Sequence, residues 1–163
     1  MAQVVDLGRK STKFCISISM IIEAKQEHFD QLFSLIEQMV AESVFSFAPA
    51  SKRKIQQLMD FPKSTAFLAF EGDKCIGFVA AIISPFFFSE YERANDLGFY
   101  ILPEHRGGKT AFKLLKAIEN WSKEMGAKEL FMGHSVGGNI EGMKKFYEHN
   151  GYRIGGFNSM KRF

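Results

Sequence analysis

Gly98-Phe99-Tyr100-Ile101-Leu102-Pro103-Glu104-His105-Arg106-Gly107-Gly108-Lys109-Thr110-Ala111 changes character along its length. The apolar run Leu97–Leu102 has the composition of a strand and is stopped by Pro103, which has no N–H to give to a ladder. Gly107-Gly108 follows. Beyond it, Ala111, Leu114, Leu115, Ile118, Trp121 and Met125 recur at the spacing of an amphipathic helix running from about Lys109 to Met125. Gly126 stands where a C-cap glycine belongs. Glycine between strand and helix permits positive φ and lets main-chain N–H groups approach a ligand with no Cβ in the way. The helix start adds unpaired donors and the positive end of its dipole, which together suit a pyrophosphate. Two other readings fit the same residues. A tight turn needs no ligand. Gly108-Lys109-Thr110 matches the end of the P-loop pattern GxxxxGK[ST], although Pro103 occupies the position of that pattern's first glycine.

Upstream, Ser64–Phe70 and Cys75–Ile83 are short apolar runs separated by Glu71-Gly72-Asp73-Lys74, which has hairpin turn chemistry and predicts an antiparallel pair. Phe29, Leu32, Phe33, Ile36, Met39 and Val40 predict a helix from Gln26 to about Ser43. A second helix is expected at Ser51–Asp60, with Ser51 as N-cap and Pro62 beyond its end. Phe14–Ile22 follows the basic residues Arg9, Lys10 and Lys13, as a targeting signal would, but it alternates as a half-buried strand does and no small-x-small cleavage site follows. Met1–Lys13 is expected to be a loose extension.

Downstream, Lys128–Gly133 reads as a strand, Asn139–His149 as a helix with Gly151 at its C-cap, and Tyr152–Phe163 as one or two closing strands. The order is strand, helix, helix, three strands, helix, strand, helix, strand. It predicts an α/β (α+β) fold in a single domain over residues 14–163. A mixed, mostly antiparallel sheet of six to seven strands is flanked by about four helices.

Composition supports a packed domain. The chain has 163 residues, 46% of them hydrophobic and 24% charged, enough apolar surface for a core. The formal net charge of +3 is small and its lysines and arginines are scattered, which argues against nucleic acid as a partner and suits an anionic cofactor. Cys15 and Cys75 are far apart and lie in no ligand spacing, so neither a disulfide framework nor a metal site is expected, and a cytoplasmic setting is. No apolar run approaches the roughly 20 residues that span a bilayer.

Pro103-Glu104-His105-Arg106-Gly107, with Ala111 at the final small position, resembles the V-x-P-x-x-R/Q-x-x-G-x-G/A signature of the GNAT superfamily of acetyl-CoA-dependent acyltransferases. The middle glycine of that signature is Lys109 here, with a glycine displaced to Gly108. Downstream, Lys145-Phe146-Tyr147-Glu148-His149-Asn150-Gly151-Tyr152 resembles the family's FYEKxGF segment. The resemblance implies a GNAT fold with acetyl-CoA as cofactor. It assigns the cofactor to Arg106, Gly107, Gly108, Lys109, Thr110 and Ala111, and the pantetheine arm to the backbone of Ile101, by β-augmentation. It also implies that Tyr147 protonates the leaving thiolate, as a phenol with a pKa near 10 can do. An aromatic on the buried face of a helix needs no such role, and both readings stand. Asn139 resembles a cofactor-contacting asparagine and is equally suited to an N-cap.

An amine acceptor must lose a proton before it attacks a thioester. Glu90, Glu92, Asp96 and His134 are the candidate bases, with Asp96 favoured and a water as the alternative. His28, His105 and His149 form no metal set. Phe45, Phe47, Phe61, Phe86–Phe88 and Tyr91 fall in segments that build the acceptor side in the family. Core packing is the expected use of most of them, with an apolar acceptor pocket or a homodimer interface as the other uses. The function implied is acetyl transfer to a primary amine of a small molecule, protein or peptide. The alternatives are a CoA-binding regulatory module without turnover and a nucleotide-binding protein.

Overall fold

The computed structural model describes residues 19–133, 139–156 and 161. In chain order the elements are β1 (Met20–Glu23), α1 (Phe29–Glu42), α2 (Lys52–Met59), β2 (Ser64–Glu71), β3 (Lys74–Phe86), β4 (Ser89–Ile101), α3 (Thr110–Glu124), β5 (Leu130–Phe131) and α4 (Ile140–His149). Single 3-10 turns occupy Gln26–His28 and Pro103–His105. The four helices of the described residues fall where the sequence places them. Ser51 caps α2 by accepting from Lys54 N, and Gly126 and Gly151 adopt φ of 81° and 86° just past α3 and α4.

The sheet order is β1-β2-β3-β4-β5, antiparallel except for the parallel pair β4/β5. Five strands among the described residues replace the six to seven expected. Residues 1–18, which hold the expected extension, Cys15 and most of the first predicted strand, lie outside the description. So does half of the tail, and residues 152–156 form no strand.

The largest correction concerns β4. The sequence marks a strand only over Leu97–Leu102, but Ser89–Asp96 is strand as well, so β3 and β4 form one long hairpin turned by Phe87-Phe88 alone. Gly77 shows how closely that hairpin is paired: a Cβ there would stand 2.7 Å from the Tyr100 carbonyl oxygen.

Leu68, Ile76, Phe78, Val79, Leu114, Leu115 and Ile118 are fully buried members of one connected core. Helix α1 lies on the face of β4 that carries Gly98 and Tyr100. Gly98 lets α1 close in, since a Cβ there would sit 3.0 Å from Met39 Sδ. Phe99 points to the other face, where its ring lies 6.3 Å from that of Phe146 on α4. The Tyr152 hydroxyl links this side to α3 through Glu119 at 3.1 Å.

Candidate active site

Two irregularities of β4 create the site. Its partners on β3 shift between Ala80, opposite Gly98, and Ala81, opposite Asp96, so Leu97 is an extra residue that bends the strand. On the other edge, β5 pairs only through Ala94 with Leu130 and Asn95 with Phe131. At the next residue the Asp96 side chain takes over, its Oδ1 accepting from Gly133 N at 2.9 Å. A carboxylate thus stands where the main chain would have continued the ladder, and the two strands part.

Beyond the fork, β4 keeps an open edge. Leu102 N donates to Ile76 O at 2.9 Å, so residues 98, 100 and 102 bond toward β3. By the alternation of an antiparallel ladder, the N–H and C=O of Phe99 and Ile101 point the other way, into the fork. The Ile101 carbonyl accepts one bond there, from Arg106 Nε at 2.8 Å.

Tyr147, 5% exposed, enters the fork from α4 and its hydroxyl donates to Gly133 O at 3.4 Å. Gly133 therefore carries Asp96 on its N–H and Tyr147 on its carbonyl. Burial pushes the Asp96 carboxyl above its ordinary range, opposed by the Gly133 N–H. Burial also pushes the Tyr147 hydroxyl up strongly, and the charge of Asp96 adds to the rise. The structure brings together these two expected residues. Gly133 had only been read as part of a strand, because a main-chain partner carries no side-chain signal.

The other candidate bases stand apart. Glu92 pairs with Lys63, and its main-chain oxygen accepts from Lys128 N at 3.0 Å on the far side of Ala94. Glu90 is exposed near the hairpin tip. His134 lies outside the described residues.

The loop after β4 closes one end of the open edge. Gly107 has φ +81° with nothing within 4 Å of a would-be Cβ, whereas Lys109 has φ −75°, ordinary for any residue. The positive-φ position of the loop is thus Gly107, and Lys109 needs no glycine for its own backbone conformation. Among the described residues no side chain caps α3, in contrast to Ser51 on α2 and Asn139 on α4, so the first N–H groups of α3 face the loop. The Thr110 hydroxyl is taken by Ser19 Oγ at 3.1 Å, and Lys113 Nζ donates to Ser19 O at 2.6 Å, fastening the start of α3 to the chain before β1. Thr110 and Ala111 therefore have main-chain groups to offer a ligand.

Arg106 turns toward α1. It donates to Glu42 Oε2 at 2.7 Å, and its guanidinium lies 5.3 Å from the centroid of the Tyr100 ring. His105 Nδ1 lies 3.1 Å from Glu71 Oε2, and Lys74 bridges to Glu104 at 3.0 Å, which ties the loop to the β2–β3 turn. Asn139 accepts from Gly142 N at 2.8 Å as the N-cap of α4. Among the described residues no group of three His, Cys, Asp or Glu side chains is placed to hold a metal, and no helix is long and apolar enough to cross a membrane.

Residues 30–152 match the acetyltransferase (GNAT) family. The chain belongs to that family. No curated protein matches the sequence. Among solved structures, the aminoglycoside N-acetyltransferase AAC(6')-Iy, in complex with CoA, is 18% identical, with 90% of this chain and 95% of that one covered and a TM-score of 0.73. The aminoglycoside acetyltransferase HMB0005, from an uncultured soil metagenomic sample, is 14% identical over 90% and 99%, with a TM-score of 0.73. A transcriptional regulator from Bacillus halodurans C-125 is 15% identical over 90% and 100%, with a TM-score of 0.72. At these identities the likeness is one of fold.

Proposed function

We propose that the protein transfers an acetyl group from acetyl-CoA to a primary amine by direct attack, with Asp96 as base and Tyr147 as acid. The observation that carries this reading is the meeting of both side chains on Gly133, at the mouth of an open β4 edge. Residues Gly107, Gly108, Lys109, Thr110 and Ala111 fit a pyrophosphate, because a positive-φ glycine opens onto an uncapped helix start. The edge groups of Phe99 and Ile101 fit an extended amide-bearing arm. Arg106 supports the loop rather than the ligand, and Asn139 serves as the α4 cap.

Acetyl-CoA supplies an electrophilic carbonyl carbon and a thiolate leaving group. Asp96 accepts the proton that the amine gives up, and its raised pKa brings it closer to an amine's working range. Tyr147 keeps its proton at neutral pH and gives it to the sulfur as the carbon–sulfur bond breaks and the carbon–nitrogen bond forms. The two steps assist each other, since neutralising Asp96 removes one of the causes that hold the Tyr147 proton. Binding of CoA without turnover is the alternative, and the Lys109 φ of −75° shows only that the backbone there is one any residue adopts.

The test is thiol release from acetyl-CoA with a panel of small amines, peptides and aminoglycosides, in wild type, Tyr147→Phe and Asp96→Asn. Amine-dependent release that falls in both variants supports the reading. Tight CoA binding with no release across the panel would favour a regulatory module.

A further inference from the structure

Glu42 ends α1, and its carboxylate is shared between two donors on the cofactor side of the molecule. One oxygen accepts from the Tyr100 hydroxyl and the other from Arg106 at 2.7 Å. The same guanidinium gives its Nε–H to Ile101 O at 2.8 Å. The close approach of Met39 to Gly98, one turn earlier, seats the end of α1 on β4 and brings Glu42 within reach. Immediately after Glu42 the chain turns, with Ser43 Oγ accepting from Phe45 N at 3.0 Å, into the connection that leads to α2.

We infer that Glu42 is the positioning residue of the cofactor loop: it holds Arg106 against Ile101, so the Gly107–Lys109 segment is set before the ligand arrives, in register with the α1–α2 connection. This rests on the cofactor reading above. The opposite assignment would have Arg106 as a ligand for phosphate, with Glu42 competing for it. The two differ in sign. If Glu42 positions the loop, neutralising it weakens CoA binding. If Glu42 competes with phosphate, neutralising it strengthens binding. Hydrogen bonding from Tyr100, then Arg106, holds the Glu42 carboxyl below its ordinary range, which extends its contact with Arg106 to more acid pH.

The experiment is calorimetric titration of the full chain with CoA, comparing wild type with Glu42→Gln, Tyr100→Phe, Arg106→Gln and the Glu42→Gln/Arg106→Gln double variant. Glu42→Gln is expected to bind roughly tenfold more weakly, because loop order must then be created on binding. Its Tm should stay within about 2 °C of wild type, since the side chains of Glu42 and Arg106 are 34% and 40% exposed. Tyr100→Phe should lose less affinity than Glu42→Gln. In the Arg106→Gln background Glu42→Gln should cost nothing further. Unchanged or tighter binding by Glu42→Gln, or full additivity with Arg106→Gln, overturns the assignment while leaving the cofactor reading intact. Failure of wild type to bind CoA overturns the cofactor reading first, before any variant is compared.

Discussion

Gly133 donates its main-chain N–H to Asp96 Oδ1 at 2.9 Å, so a side chain of β4 occupies the place of a ladder bond to the strand beside it. Burial is the larger influence on this carboxyl and raises its pKa. A raised carboxyl favours the folded state fully below its unfolded pKa, and that contribution is lost as pH rises through the folded value. Asp96→Asn keeps an oxygen for Gly133 and never charges. It should therefore melt at a higher temperature than wild type at about pH 8, with the gap closing toward about pH 4, while the proposed transferase activity is lost. Calorimetry at both pH values decides it; a variant that melts lower at the higher pH would mean that the ionised carboxylate props the fork more than burial penalises it.

The phenol of Tyr147 responds to the same charge. Its pKa is raised by burial and then by Asp96, so Asp96→Asn should let Tyr147 titrate at lower pH than in wild type. Phenolate absorbance, with Tyr147→Phe subtracted, reads this directly. Tyr147→Phe itself should lower kcat by about 100-fold or more, the range for loss of a positioned acid. Its Tm should hardly move, because a 3.4 Å bond to Gly133 O adds little. An unchanged kcat would return Tyr147 to packing.

The loop Arg106–Ala111, proposed to hold the cofactor, separates conformational need from family pattern. Gly107→Ala forces a Cβ into φ +81° and should cost about 1–2 kcal/mol, read as a lower Tm, with weaker CoA binding. Lys109→Gly, at φ −75°, should not tighten CoA binding. Tighter binding would show that the usual glycine position still matters here.

Helices α1 and α3 were legible from an apolar stripe at helical spacing, α2 from the Ser51 cap and Pro62 beyond it, and the β2–β3 turn because Gly72, at φ 57°, lies in a turn sequence. The amino-terminal half of β4 was not. Ser89-Glu90-Tyr91-Glu92 faces water, and its strand is held by pairing with β3, which leaves no apolar alternation to read. The hairpin turn was missed for a related reason, since Phe87-Phe88 contains none of the residues that mark tight turns. Asp96 and Tyr147 were reached by residue type and resemblance. Glu42 was not, because a glutamate ending an amphipathic helix looks like any solvated one until the fold brings Arg106 to it.

The phenylalanines expected mostly in the core give a final contrast. Phe45, Phe47, Phe61, Phe87, Phe88 and Tyr91 are exposed, and Phe87 at the hairpin turn is 99% so. Phe86 is different. Its ring stacks on Phe88 at 5.1 Å, meets Tyr91 at 5.9 Å and carries the Arg93 guanidinium at 4.3 Å. Arg93 also lies 5.1 Å from the Phe131 ring, so Phe86 connects the tip to β5. Phe86→Ala should destabilise by about 1–2 kcal/mol through lost ring and cation contacts. Phe87→Ser removes almost no buried surface and should fall within about 0.5 kcal/mol of wild type. Denaturant melts of the two variants at several protein concentrations test both. A loss in Phe87→Ser that grows with concentration would show that another copy covers the tip in solution, and equal losses at every concentration would show that the tip folds back on its own chain.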